Sequence, residues 1–253
     1  APPLAPTGCR RRVPSRGEAA VLQPRVGVAL ALVQIFFGIH YLAAKLILQM
    51  MPPRAWAALR ISAAALLVMG YSLLCVRRGR PARRDLGRLA LYAIFGVVIN
   101  QVMFVEGLSR TTPSHSSIIN SLIPVATLGF AILFRHERLT PGRVLALAVS
   151  LGSVLLLLGG ERFRLDDALV VGDLMTLVNG VSFALFLVLS RDFLRRHDPL
   201  MATAWLLCFG ALGILGVGAG PLVRVDFAAL PGFFWVLAAY TVLFATVLAY
   251  FLN

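Results

Sequence analysis

The chain reads as long apolar stretches separated by short polar joints. Eight such stretches fall at residues 26–48, 55–76, 89–108, 114–134, 144–159, 171–190, 200–222 and 233–252. A helix needs about 20 apolar residues to cross the hydrocarbon core of a bilayer, and all but the fifth come close to that length. The apolar residues run continuously instead of alternating, which predicts spanning helices and not the strands of a barrel. The fifth stretch compensates with a good start signal, Thr140 as N-cap followed by Pro141. Residues 1–25, rich in Pro and Arg and without apolar period, are expected to form a disordered basic tail.

Composition sharpens this picture. Of 253 residues 59% are hydrophobic and only 14% charged, with a mean hydropathy of +0.84, against roughly 45–50% and 25% in soluble domains. Such a chain is an all-α polytopic membrane protein, not a soluble enzyme or a nucleic-acid-binding module. The net charge of +13 is explained by where the basic residues fall. With the tail in the cytoplasm, the inside segments carry 17 Arg and the outside loops five, with Lys45 and Arg60 near span ends. That is the positive-inside bias, and it predicts a multi-pass protein of the cell inner (plasma) membrane with a cytoplasmic N-terminus. Cys9, Cys75 and Cys208 lie far apart without metal-ligand spacing and read as small apolar fillers. No metal or cofactor is expected.

Sliding the chain on itself by 146 residues brings Phe37 onto Phe183, Lys45 onto Arg191, Pro53 onto Pro199 and Phe104 onto Tyr250. The spacing predicts two copies of a five-helix unit, 26–160 and 171–253. Because five is odd, the second copy enters the membrane from the other side. Inverted repeats place a binding site at their interface near the midplane. On the same offset Asn253 matches Gly107, so the second copy is expected to need about 53 further residues, and the eight spans belong to an expected ten.

The segment FVEGLSRTTPSHSSIINSLIPVATLGFAILFRHERLT, Phe104 to Thr140, resembles the EamA-type branch of the drug/metabolite transporter superfamily. Pro124 matches the mid-helix proline of that pattern, and Glu137-Arg138 its acidic-basic pair, with His136 in place of the usual glycine. FGIHYLAAKL, Phe37 to Leu46, is similar to the first-span pattern, and Arg60 to the Arg opening the second span. The resemblance covers residues 26 to 253. It implies ten helices in two five-helix repeats and the export or exchange of small metabolites, without naming a substrate.

Polar residues inside spans are the candidate site, because lipid offers them no partners. Gln34, Gly38, Tyr41 and Lys45 recur on one face of the first span; they line a cavity or make helix–helix hydrogen bonds around Gly38. Ser116, Asn120, Pro124 and Thr127 share a face of the fourth span, where Pro124 leaves the carbonyl of Asn120 without its helical donor. Asn100 and Gln101 add amides from the third span, and Thr176 and Asn179, with Phe183, from the sixth. Together these amides suit a neutral or zwitterionic solute. Charges within spans are costly, roughly 2.5–3.5 kcal/mol each on insertion scales. Lys45 and Arg60 are expected to snorkel, Glu106 to pair with Arg110 at i, i+4, and Asp173 to sit at its helix N-terminus. A sharper reading makes Glu106 and His115 an outer gate or a proton-coupling pair, histidine being the side chain that ordinarily changes charge near neutral pH. Five glycines crowd the seventh span, with Gly216 and Gly220 in GxxxG spacing expected at a helix contact.

These residues predict a secondary transporter of small metabolites working by alternating access. No GxxxxGK[ST] loop for nucleotide occurs in the chain. The alternatives are a membrane-embedded enzyme, whose nearest nucleophile–base pair, Ser117 and His115, points to different helix faces, and a non-transporting scaffold or receptor. The expected partners are a small-molecule substrate and the lipid bilayer, with a homodimer as the candidate assembly and no nucleic acid.

Overall fold

The computed structural model of the chain describes residues 24–75, 81–137, 140–159 and 168–248. Among these residues the secondary structure is helical throughout, without strands. Within the described residues each predicted apolar stretch falls on a helix: α1 (Pro24–Ile47), α2 (Pro53–Cys75), α3 (Arg83–Arg110), α4 (Pro113–Leu133), α5 (Pro141–Gly159), α6 (Ala168–Leu194), α7 (Pro199–Val223) and α8 (Gly232–Val242, continued as Leu243–Leu248). Five of them, α2, α3, α4, α6 and α7, are long and apolar enough within the described residues to cross a membrane. Residues 1–23 of the basic tail, Cys9 among them, and Arg138 lie outside the described residues, whereas Pro24 and Arg25, expected in the tail, open α1.

Proline punctuates the chain. α1, α2, α4, α5 and α7 each begin on one, at a position where a missing N–H is not needed. Two of these starts carry side-chain caps: Thr112 accepts from the His115 backbone N–H at 3.2 Å, and Asp198 from that of Met201 at 2.9 Å. Pro124 does not kink a continuous helix. α4 breaks into Pro113–Asn120 and Ile123–Leu133, and Pro124 sits in the first turn of the second half.

The core lies where α2, α3 and α7 meet. Trp56, Ile61, Val97, Val105, Leu207 and Ile214 are sealed within it, and Trp56 meets Phe234 of α8 edge-on at 6.1 Å. Alanines at 55, 57, 58, 64 and 65 keep that side of α2 thin. The seventh-span glycines admit close neighbours, but not at the GxxxG pair. Gly216 and Gly220 face open space, whereas Gly210 and Gly213 receive Val97 and Val98 of α3, and a Cβ at Gly218 would come within 2.5 Å of the Arg54 carbonyl. The perimeter exposes Leu66, Leu73, Leu74, Leu133, Leu156 and Leu212, an apolar coat that suits acyl chains.

α3 contains a π turn at Ile94–Ile99. Widening to i→i+5 bonding disturbs the carbonyl ladder, and the Phe95 carbonyl accepts instead from Ser182 Oγ of α6 at 2.8 Å. α8 carries a second π turn at Leu243–Leu248, where Thr246 Oγ1 donates to the Thr241 carbonyl five residues back.

Candidate functional site

A cavity of about 480 Å³ opens between α1, α2, α3, α4, α6 and α8. Of the residues marked by sequence, Gly38, Tyr41, Arg60, Asn100, Gln101, Asn120 and Asn179 are on its wall. Phe37, Phe104 and Phe183 provide the apolar part. A shallower depression of about 640 Å³ lies among helix ends near Met50, Pro221 and Pro231 and gathers none of the predicted polar residues.

The wall is tied together by hydrogen bonds whose direction can be deduced. Arg60, only 3% exposed, donates from Nη1 to His40 Nε2 at 3.0 Å and from Nη2 to Gln101 Oε1. A guanidinium can only donate, so Gln101 must turn its oxygen to Arg60 and its amide N–H to Asn100 Oδ1, at 2.8 Å. Asn100 then offers Nδ2 to the Asn179 carbonyl at 3.4 Å, and Asn179 Nδ2 returns a bond to the Asn100 carbonyl at 2.8 Å. The network links α1, α2, α3 and α6. Asn120 Nδ2 donates to the Tyr41 hydroxyl at 2.9 Å, joining α4 to α1. Among the described residues, the buried wall atoms His40 Nδ1, Asn120 Oδ1 and Asn179 Oδ1 find no hydrogen-bond partner. Unpaired buried polar atoms are costly, so a solute with matching groups would be stabilised there.

Other predicted residues lie off the wall, for identifiable reasons. Lys45 turns inward and donates to the carbonyls of Leu108, Ser109 and Thr111 at 2.8, 3.1 and 2.7 Å, capping the C-terminus of α3. It does not snorkel, and neither does the buried Arg60. Thr127 and Thr176 spend their hydroxyls on the carbonyls of Ile123 and Gly172, four residues back in their own helices. Ser116 is fully buried, away from the cavity, and Pro124 is exposed. The Gln34 side chain lies outside the described residues.

Glu106 and His115 belong to a polar belt at one end of the helices, and they do not pair with each other. Glu106 accepts from Arg110 Nη1 at 2.5 Å, as its spacing predicts, and from Arg54 Nε of α2 at 2.8 Å. His115 Nδ1 sits 2.9 Å from Asp173 Oδ2, and Asp173 Oδ1 accepts from the Thr111 hydroxyl. Glu137 pairs with Arg143 at 3.0 Å, joining the end of α4 to the start of α5. Among the described residues no cluster of His, Cys, Asp or Glu could hold a metal ion.

Sequence reasoning missed His40. It lies just off the 34–38–41–45 stripe, and its ring stacks on Phe104 with centroids 5.6 Å apart. The available signal was its chemistry, since an ionisable residue within a span is a functional candidate by default. Thr246 was missed as well, because the period of α8 changes in its π turn.

The EamA-like transporter family matches residues 25–159, more than half of the chain. The chain belongs to the EamA-like transporter family. Its relatives include an uncharacterized transporter, YyaM, of Bacillus subtilis, 26% identical over 220 residues, which cover 85% of this chain and 72% of that protein. An uncharacterized transporter of Archaeoglobus fulgidus is 23% identical, covering 73% of this chain and 64% of its own. A chloroplastic WAT1-related protein of Arabidopsis thaliana, At3g02690, is 27% identical over 72% of this chain and 44% of its own length. The chain thus spans less than two thirds of the archaeal and plant relatives. A solved structure titled "Crystal structure of protein" superposes with a TM-score of 0.62 at 18% identity, over 91% of this chain and 78% of that one, a likeness of fold. As an EamA-like chain the molecule is a multi-pass membrane protein of a transporter family, not of an enzyme family.

Proposed function

We propose that the protein is a secondary carrier that moves a small metabolite, by export or exchange, by exposing the central cavity to each side of the membrane in turn. The observation that carries this reading is the hydrogen-bonded wall from His40 to Asn179, which keeps polar groups of four helices inside an otherwise apolar molecule. Polar side chains are retained at membrane depth where they face a bundle interior or a water-filled space.

Inverted repeats at 26–160 and 171–253, following a basic tail at 1–25, give the carrier its two moving halves. Three features support that division. Lys45 near the end of α1 and Asp173 near the start of α6 meet through Thr111, as they would if these matching helices run in opposite directions. Phe37 and Phe183, paired by the 146-residue offset, both line the cavity. The third helix of each unit begins its π turn after eleven α-helical residues, Arg83–Ala93 in α3 and Gly232–Val242 in α8. On this reading the basic-rich joints face the cytoplasm of a cell with this protein in its inner membrane, and the Glu106 and His115 belt closes the outer end.

A cysteine placed at Gly38, where a Cβ meets nothing within 4 Å, tests this in a background lacking Cys9, Cys75 and Cys208. A carrier predicts labelling by a membrane-impermeant thiol reagent added from either side alone. Labelling from neither side would overturn the proposal.

A further inference from the structure

We infer that the start of α3 and the turn after α6 form a headgroup site for an anionic phospholipid, its phosphate held by Arg84, Arg88 and Arg196 and its acyl chains lying on the apolar flank below. The inference takes the helices as membrane spans and does not depend on what the central cavity carries. Arg84, Arg88 and Tyr92 recur at i, i+4, i+8 and so share one face of α3. The end of α6 is pinned beside them. Tyr92 meets Phe193 edge-on at 5.7 Å, Leu89 and Phe193 are sealed together with Ala202 of α7, and buried Asp85 lies 3.4 Å from His197. Arg196 stands in the turn between Phe193 and His197, the two residues that touch α3.

These donors are unspent. Arg84, Arg88 and Arg196 are exposed, and among the described residues their guanidiniums make no hydrogen bond or ion pair. The hydroxyl of half-buried Tyr92 makes no hydrogen bond there either. Of the neighbouring acids, Asp85 is buried against His197, Asp198 caps α7 through the Met201 N–H at 2.9 Å, and Asp192 is exposed. With Arg83, Arg191 and Arg195 also exposed, guanidiniums outnumber carboxylates six to three at these helix ends. Toward the middle of the spans both helices turn apolar, exposing Leu91 and Ile94 on α3 and Val178 and Val181 on α6. Tyrosine gathers at the boundary between acyl chains and headgroups. That puts Tyr92 at the boundary and Arg88 and Arg84 one and two turns beyond it, at phosphate level. A guanidinium fork matches phosphate oxygens, and basic pockets between spans suit acidic headgroups. The apolar flank is what commits the surface to a lipid and not to a soluble anion.

Native mass spectrometry of the full chain, released from neutral detergent with equal amounts of dioleoylphosphatidylglycerol and dioleoylphosphatidylcholine, tests this, because the lipids differ only in the headgroup. Phosphatidylglycerol should be retained at least about tenfold more strongly. Arg84→Gln with Arg88→Gln should remove most of that preference. Arg135→Gln with Arg224→Gln, which lowers the net charge equally at exposed sites elsewhere, should keep it. Should the first pair fail to fold, the unaltered protein still decides, since salt at about 0.5 M should erode a preference carried by exposed charges. Equal retention of the two lipids, equal losses in both pairs of substitutions, indifference to salt, or displacement of the lipid by millimolar inorganic phosphate would overturn the inference. Flux from liposomes reads the carrier separately. Flux without headgroup preference removes this site alone, and preference without flux contradicts the carrier alone.

Discussion

Asn100 and Asn179 clasp α3 to α6 by reciprocal exchange: each amide nitrogen donates to the other residue's backbone carbonyl, at 3.4 and 2.8 Å. The clasp lies at the cavity wall, beside the π turn that opens α3 toward Ser182. Asn179→Ala should therefore lower thermal stability modestly, by about 1 kcal/mol, the usual scale for an interhelical hydrogen bond in a membrane protein. Its effect on flux should be much larger. Unfolding in detergent and release from liposomes, measured on the same preparation, check both. A stability loss with normal flux would make the clasp purely structural.

Gly107 stands at a close approach of α3 and α6. A Cβ there would lie 2.7 Å from Thr176 Oγ1 and 2.9 Å from the Gly172 carbonyl, and backbone does not yield easily. Gly107→Ala should destabilise by about 1–3 kcal/mol through overpacking. Gly38→Ala, in open space, should leave the unfolding midpoint unchanged or raise it slightly. Comparing the two midpoints tests the helix contact.

The fold was largely legible because length and apolar continuity are properties of single segments. Helix ends were legible too, where Pro53, Pro113, Pro141 and Pro199 mark them. Gly216 and Gly220 misled because the GxxxG spacing says that a face is thin, not that a neighbour lies against it; Gly210 and Gly218 have the neighbours. Within the site, Asn100, Gln101, Asn120 and Asn179 stood out as amides in apolar runs. Lys45 and Thr176 could not be told from wall residues, since their partners are backbone carbonyls that every sequence possesses. Asp173 is not the helix-start charge that the sequence suggested, since α6 is already helical from Ala168 and has no acidic residue in its first turn; its bonds to Thr111 and His115 depend on which helix ends meet.

Lys45 holds three carbonyls at the end of α3. Lys45→Met keeps the apolar stem and removes the donors, and should destabilise by about 1.5–3 kcal/mol, the scale of one hydrogen bond to a charged group. Hydrogen exchange of the backbone around Ser109–Thr111 should rise in parallel. Unchanged protection would show that water or another side chain caps the helix equally well.

In the proposed carrier the belt is the closed outer end. His115 Nδ1 lies 2.9 Å from Asp173 Oδ2 and ties α4 to α6 there. Glu106, held by Arg54 and Arg110, completes the belt from α2 and α3. His115→Ala and Glu106→Gln should flatten the pH dependence of transport. A pH profile that survives in both variants removes the belt from proton coupling.

Efflux from preloaded liposomes tests the carrier most directly. Vesicles holding an equimolar mixture of small organic acids, amides and amines are followed by mass spectrometry with and without the protein. The account predicts that at least one solute leaves faster with protein, saturably, and that Asn179→Ala slows it. Release of every solute at the rate of protein-free vesicles, from a folded preparation, would contradict it.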